Sequence, residues 1–274
     1  MADKQYDGAV NRLDECRWEL PRDEARGMLT NGVLYGTEAL FAQAQGDATL
    51  WQLANVACLP GIVGPAMAMP DCHYGYGFPI GGVAAFRMDT GVVSPGGVGY
   101  DINCGVRLLA TTLNRTDVQD RLRPAIDQLF RDVPAGVGSS GAIAKLSRAE
   151  LKRVVVQGAA WAVERGYGEI GDLEHTEAGG RLPGADPERI SPRAWQRGLD
   201  QVGTLGSGNH FLEIQVVEEV FDKDAAVAFG LHQGQVTLMI HCGSRGFGYQ
   251  VCDDYLEVME QASRAYDIAL PDRQ

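Results

Sequence analysis

The chain has 274 residues, of which 45% are hydrophobic and 22% charged, as in an ordinary globular protein with a sizeable core. Its 36 acidic against 24 basic side chains give a net charge of −12, which argues against broad electrostatic adhesion to nucleic acid. The sequence has no apolar run of membrane-spanning length and no signal-peptide pattern at its start, so we expect a cytoplasmic protein.

The distribution of glycine predicts loops, and the spacing of cysteine argues against disulfides. The 35 glycines concentrate at 61–105, 203–208 and 243–248, where we expect loops that turn sharply or approach a ligand. The six cysteines lack the spacing of a disulfide framework, and a chain of this size in a reducing compartment does not need one. We therefore expect buried thiols or metal ligands rather than disulfides.

The first predicted elements are a strand and two helices. Residues 81–86 read as a short strand between loops rich in glycine and proline. Apolar residues at helical spacing predict a helix across 118–130. The clearest helix pattern covers 147–165, where Ser147 and Glu150 have the spacing of a capping box and an apolar face follows.

The later elements are a surface excursion, two strands and a final helix. The polar stretch 170–198 is rich in turns and is expected to end in a helix that begins at 191–192. Residues 212–216 and 236–240 have strand patterns, and apolar spacing predicts a helix over 251–262. With no repeat and no linker, the sequence predicts one α+β domain of mixed α/β type over the whole chain.

The densest chemical signal lies between Gly96 and Arg107. Asp101 and Cys104 are three positions apart among glycines, so that one carboxylate and one thiolate can reach a common point. A thiolate with imidazoles suits zinc, and an added carboxylate shifts the preference toward manganese or iron. Taken alone, the pair is more typical of an aspartate that caps a turn and a small buried cysteine.

Two histidines lie where strands meet glycine-rich loops. His210 follows such a loop and precedes a strand, whereas His241 ends a strand and precedes a loop whose amides and Arg245 could hold a phosphate. Either histidine alone fits a hydrogen-bonded structural role better. Because the chain has only five histidines, two of them at such junctions favour a metal site shared with the aspartate–cysteine pair.

The other histidines are weaker candidates. His73 could be a ligand or a substrate contact, but its aromatic and glycine neighbours suit a packed loop equally well, and we leave it out of the metal set. His175 lies in an acidic surface stretch and His232 precedes a strand, so we expect both to be structural or solvated. Cys242 should face away from the site if its strand neighbour His241 faces it.

Seven segments of the sequence together match the signatures of a known family. They are 55–62 (NVACLPGI), 69–71 (MPD), 75–81 (GYGFPIG), 94–98 (SPGGV), 101–107 (DINCGVR), 206–211 (GSGNHF) and 241–246 (HCGSRG). In this order they resemble the RtcB family of GTP-dependent RNA-splicing ligases, and the resemblance covers about residues 50–274.

The resemblance implies an RtcB-type fold and a ligase that uses two manganese ions and GTP. Such a ligase joins an RNA 2′,3′-cyclic phosphate or 3′-phosphate end to a 5′-hydroxyl end, as in tRNA splicing and RNA repair. A histidine takes GMP from GTP, the GMP passes to the RNA 3′-phosphate, and the 5′-hydroxyl then displaces it. The implied partners are these RNA ends and an archease-type activating protein, with no membrane.

The resemblance also implies roles for individual residues. Cys104 would bridge both metals, Asp101 and His210 would complete the first site, and His241 would belong to the second. Together they form the implied metal set.

The implied contacts to nucleotide and RNA fall nearby. Asn209, Phe211 and Glu213 would belong to the guanylate-binding segment, and Arg245 would contact a substrate phosphate.

Family members are longer than this chain, and the resemblance places the guanylylated histidine and another metal-binding histidine beyond Gln274. We therefore expect a chain that is incomplete at its carboxyl end and has no catalytic histidine of its own. Incubated with GTP and manganese, it should form no GMP adduct and join no RNA.

Two other functions stay open from the sequence. The same four metal ligands could activate water in a metal-dependent phosphoesterase that opens cyclic phosphates without GTP. The chain could also be a non-catalytic half that binds a metal or needs a partner chain to complete it.

Overall fold

The computed structural model describes residues 5–136, 139 and 143–271; the other positions lie outside the described residues. Helices and two sheets give the mixed α/β class expected from the sequence. By its contacts the chain divides into two compact units, a first unit of Met1–Gly99 with Tyr255–Gln274 and a second unit of Tyr100–Asp254. A single domain stays a prediction, because compactness alone does not show which parts fold independently.

The first unit contains a five-stranded sheet whose strands lie in chain order. Its third and fourth strands are parallel and the other neighbours antiparallel. A parallel pair needs a long crossover, which here contains two helices. The elements are β1 (Asn11–Arg12), β2 (Arg17–Leu20), β3 (Gly32–Tyr35), α1 (Glu38–Gln45), α2 (Thr49–Val56), β4 (Ile62–Tyr76), β5 (Phe78–Phe86) and α3 (Pro95–Val98).

Strand β4 corrects the expectation that most of 61–105 is loop. Its pairing with β5 shifts register between Val63 and Met67 and again between Ala68 and His73. These irregularities fall where the chain contains Gly64, whose φ is +70°, and two prolines. Bulges accommodate such residues within an otherwise continuous strand. The prediction for 81–86 is confirmed, since it lies within β5.

An apolar core holds the first unit together. Leu20 on β2, Leu34 on β3 and Leu53 on α2 are fully buried in one cluster. Burying a leucine side chain contributes about 1.5–3 kcal/mol. The alternating exposure of β2 follows from this arrangement, because Trp18 and Leu20 face the core while Arg17 and Glu19 do not.

The second unit contains a three-stranded antiparallel sheet in the order β6-β8-β7. The strands are β6 (Gly105–Asn114), β7 (Phe211–Val216) and β8 (Gln235–Cys242). Both strands predicted in this part of the chain are confirmed. In the register of the sheet, His241 on β8 lies opposite Val106 on one side and Phe211 on the other.

Eight α-helices of the described residues lie between or after the strands of this sheet along the chain. Residues 251–262 are helical as predicted, but their helix begins earlier, at Arg245, so 243–248 is only partly loop. The helix predicted across 118–130 is instead two helices, and the one predicted after Ser191 is confirmed. They are α4 (Arg115–Val118), α5 (Leu122–Asp132), α6 (Arg148–Gln157), α7 (Ala159–Glu164), α8 (Ile170–Glu174), α9 (Pro192–Gly198), α10 (Lys223–Ala228) and α11 (Arg245–Ala265).

The continuous helix predicted over 147–165 is wrong at one residue. Gly158, with φ 61° and ψ −139°, separates α6 from α7. The Ser147 hydroxyl accepts a hydrogen bond from the Glu150 amide at 3.2 Å, as a cap should. The Glu150 carboxylate accepts from Trp161 Nε1 at 3.4 Å and pairs with Arg165, so it fastens the two helices across the break.

No helix in the described ranges has both the length and the hydropathy that crossing a bilayer requires. This finding agrees with the absence of a long apolar run in the sequence.

Candidate metal centre

Three chain segments meet at one end of the second unit's sheet. Cys104 immediately precedes β6, His210 immediately precedes β7, and His241 is the penultimate residue of β8. Antiparallel pairing brings the start of the two outer strands beside the end of the central one. Residues far apart in sequence therefore lie together because of strand register.

The four predicted metal ligands converge at this point. Cys104 Sγ lies 3.1 Å from His210 Nε2 and 3.0 Å from His241 Nε2. Asp101 Oδ2 lies 2.7 Å from His210 Nε2. Donor atoms that share one ion at about 2.0–2.3 Å lie roughly 3–3.6 Å apart, so the sulfur and both nitrogens are spaced as ligands of a metal would be.

The chemistry of the donor set also fits a metal ion. Burial, and after it the nearby Asp101 carboxylate, raises the pKa of the Cys104 thiol to about 12. Without a cation the thiol therefore keeps its proton at neutral pH. A bound metal ion would displace that proton and stabilise the thiolate, since metal ligation requires the deprotonated sulfur.

Two glycines allow the ligands to sit this close to the backbone. A Cβ at Gly206 would overlap the His210 imidazole, and a Cβ at Gly243 would overlap the Asp101 carboxylate. His210 Nδ1 is buried without a hydrogen-bond partner among the described residues. The ring thus packs against Gly206 on one side, while its Nε2 atom faces Asp101 and Cys104 on the other. The sequence predicted that these glycine-rich segments turn sharply or approach a ligand, but it did not indicate which side chain each glycine contacts.

Ser244 is the other residue of the site that sequence reasoning did not single out. Its hydroxyl donates a hydrogen bond to Asp101 Oδ1 at 3.1 Å. It lies within the segment 241–246, between two residues that were assigned roles, but the spacing of the motif does not indicate which side chain it reaches.

The residues predicted for guanylate binding divide into two groups. Phe211 lies against the metal ligands, with its ring centroid 5.3 Å from that of His241 in an edge-to-face arrangement. Glu213 is exposed on the same face of β7, because it is two residues further along the strand. Asn209 is exposed in the turn before His210. All three therefore lie near the ligands along the chain, and their contact with a nucleotide stays a prediction.

Arg245, predicted to contact a phosphate, begins α11 with φ +56°. Its guanidinium donates to Thr204 Oγ1 at 3.2 Å and to the Gly136 carbonyl at 3.1 Å. The side chain thus joins two loops of the second unit, and it has further N–H groups for an anion.

The remaining candidates lie elsewhere. His175 Nδ1 is 2.9 Å from the Gly171 carbonyl and His232 Nε2 is 3.2 Å from Asn114 Oδ1, which are the structural roles expected of them. His73 is exposed on β4. Cys242 Sγ is 3.6 Å from the Thr204 carbonyl oxygen. Within the described residues, one group of cysteine, histidine or acidic side chains has metal-ligand spacing, and it consists of Cys104, His210 and His241.

The fold is that of a mixed α/β protein, and its candidate metal centre consists of a carboxylate, a thiol and two imidazoles at the end of an antiparallel sheet. The family model described as tRNA-splicing ligase RtcB matches residues 52–274. The chain belongs to the RtcB family.

Curated relatives agree with this assignment. The chain is 52% identical over 265 residues to the tRNA-splicing ligase RtcB of Thermococcus kodakarensis, covering 97% of this chain and 55% of that protein. It is 53% identical over 268 residues to that of Archaeoglobus fulgidus, covering 98% and 55%. It is 56% identical over 225 residues to the RNA-splicing ligase RtcB of Mycobacterium tuberculosis, covering 81% and 52%. The chain thus spans about half the length of the relatives it matches.

Proposed function

We propose that this chain supplies the metal-binding part of an RNA ligase that joins 2′,3′-cyclic phosphate or 3′-phosphate ends to 5′-hydroxyl ends with GTP. The observation that carries the proposal is the position of Cys104 Sγ, 3.1 Å and 3.0 Å from two imidazole nitrogens. Membership of a family named for RNA splicing supports RNA as the substrate.

In this proposal Cys104, His210 and His241 would hold the two manganese ions, with Cys104 as the central ligand. Cys104 is suited to this role because its sulfur lies 3.1 Å and 3.0 Å from the two imidazole nitrogens. Asp101 adds a carboxylate oxygen on the His210 side. Bound there, manganese would supply positive charge that neutralises phosphate oxygens and steadies the charge that develops during phosphoryl transfer.

The other side chains would bind and orient the nucleotide and the RNA end. Phe211 offers an aromatic edge beside the ligands, and the exposed Glu213 carboxylate can accept hydrogen bonds from a guanine base. Asn209 can do so with its amide. Arg245 would bind a phosphate through the N–H groups that are not used in its hydrogen bonds to Thr204 and Gly136. An archease-type protein belongs to the proposal as an activating partner.

Metal binding is the first test. Titration calorimetry with Mn²⁺ should show binding to the wild-type chain that the substitution Cys104→Ala abolishes or greatly weakens. Cys252→Ala is the matched control, since Cys252 is buried in α11 and is not among the grouped ligands. A wild-type chain that binds no Mn²⁺, or a Cys104→Ala variant that binds equally well, would contradict the proposal.

A labelled RNA with a cyclic-phosphate end and a 5′-hydroxyl end tests the chemistry. It is incubated with Mn²⁺ and the protein that contains this chain, with and without GTP. If the RNA ends are joined only with GTP, and the Cys104→Ala variant does not join them, the result supports the proposed ligase activity. Opening of the cyclic phosphate at equal rates without GTP, with no joined product, would instead support the metal-dependent phosphoesterase.

A further inference from the structure

The two oxygens of the Asp101 carboxylate have different partners. Oδ2 lies 2.7 Å from His210 Nε2, on the side of the candidate ligands. Oδ1 accepts a hydrogen bond from the Ser244 hydroxyl at 3.1 Å. A carboxylate on a turn can rotate about its last bond, so a donor at one oxygen decides which way the other oxygen points.

Two glycines bring the backbone close to both partners of this hydrogen bond. A Cβ at Gly243 would overlap the Asp101 carboxylate, and a Cβ at Gly248 would overlap the Ser244 hydroxyl. Ser244 thus lies between Asp101 and the first turn of α11, with the Gly248 amide donating to its carbonyl oxygen at 3.3 Å. Two glycines next to one hydrogen bond indicate that the local backbone is shaped around it.

We propose that Ser244 is a positioning residue for the metal centre, which acts by holding Asp101 so that one carboxylate oxygen faces the metal. The inference rests on the proposed metal binding. Hydrogen bonds from neighbouring groups to metal ligands typically account for 10–100-fold in metal affinity. We therefore expect Ser244→Ala to bind Mn²⁺ about 10–100-fold more weakly than the wild type.

A purely structural role for Ser244 must be separated from this one, because serine is a favoured capping residue at the start of a helix. Ser191 provides the matched control. It precedes α9, accepts a hydrogen bond from the Ala194 amide at 3.2 Å, and donates to the Asp254 carboxylate at 2.5 Å. Ser191→Ala therefore removes both a cap and a serine–aspartate hydrogen bond away from the metal ligands.

The experiment measures Mn²⁺ affinity by titration calorimetry and thermal unfolding in the presence of a chelator. Both serine variants should unfold at lower temperature, whereas only Ser244→Ala should lose affinity. In the background of Asp101→Ala, removal of the Ser244 hydroxyl should cause no further loss, because a residue that acts through Asp101 has nothing left to position. Visible absorption of the Co²⁺-loaded protein gives an independent readout of altered coordination.

The outcomes are distinguishable from failure of the proposed function. If the wild type binds Mn²⁺ and Cys104→Ala does not, then equal affinity of Ser244→Ala and wild type overturns the role of Ser244 alone. Losses that add in the double variant would overturn it as well, since they would show that Ser244 acts independently of Asp101. If the wild type binds no Mn²⁺, both the metal centre and this role are refuted.

Discussion

The apolar core of the first unit and the candidate metal centre of the second unit depend on different physical interactions. In the core, Leu20, Leu34 and Leu53 are fully buried, and their contribution depends on area and volume rather than direction. In the candidate centre, three possible donor atoms all lie within 4.8 Å of one another, and their ability to bind a metal ion would depend on the chemical element of each atom and on geometry. The core should tolerate exchange among apolar residues, whereas the centre should tolerate almost none at its ligands.

Cys104→Ala should show the largest effect. It removes the donor nearest to both imidazoles, so we expect Mn²⁺ affinity to fall on the order of 100-fold or more, above the range for groups that only support a ligand. Competition with a fluorescent chelator would measure the loss. Cys104→Ser gives the sharper comparison, because it keeps the size but offers a far less acidic oxygen; an affinity equal to wild type would show that sulfur is unnecessary.

Leu53→Ala tests the other region. The side chain is fully buried in the first unit's core, so we expect the free energy of unfolding to fall by about 2–5 kcal/mol. Chemical denaturation gives this value, and the Mn²⁺ affinity of the folded variant should equal that of the wild type. Loss of affinity at full folding would show that the two regions are coupled and would break the comparison.

Gly158→Ala tests a backbone conformation rather than a core side chain or a candidate metal ligand. Alanine disfavours φ 61°, and its Cβ would overlap the Gly180 carbonyl oxygen. Backbone strain of this kind costs about 1–3 kcal/mol. Thermal unfolding should report the loss, with Gly166→Ala as a control at another positive φ where a Cβ meets no atom within 4 Å. If both variants lost the same stability, the loss would come from the positive φ alone and not from the overlap with the Gly180 carbonyl oxygen.

Ser147→Ala should have the smallest effect. It removes the hydroxyl that accepts from the Glu150 amide at the start of α6, and such a cap contributes about 1 kcal/mol. The variant should unfold slightly earlier and bind Mn²⁺ unchanged. Replacement by aspartate, another good cap, should restore the stability; a failure to do so would argue that Ser147 is not acting as a cap.

The elements that could be predicted from sequence are those with unbroken periodicity. Strands β7 and β8 and the body of α11 alternate or repeat cleanly, so local pattern and tertiary structure agree. Strand β4 could not be predicted, because its two glycines and two prolines are typical of a loop, and only pairing with β3 and β5 makes the segment extended. The break at Gly158 was hidden because an isolated glycine is tolerated within many helices.

The candidate site divides in the same way. Residue type and position at strand ends indicated Asp101, Cys104, His210 and His241, and the structure brings them together. The supporting residues were not predictable, since the bond from Ser244 to Asp101 joins positions 143 residues apart. Similarly, Gly206 contacts the His210 ring because of the conformation of the loop between them, and the spacing of residues in the sequence does not predict that conformation.

The register of the β6-β8-β7 sheet has a consequence for the grouping of the candidate ligands. His241 lies opposite both Val106 and Phe211, and a slip of one residue would turn its imidazole to the other face of the sheet. A misaligned sheet would then lack the group formed by Cys104, His210 and His241. The grouping of these side chains therefore requires that both outer strands have paired in register with β8.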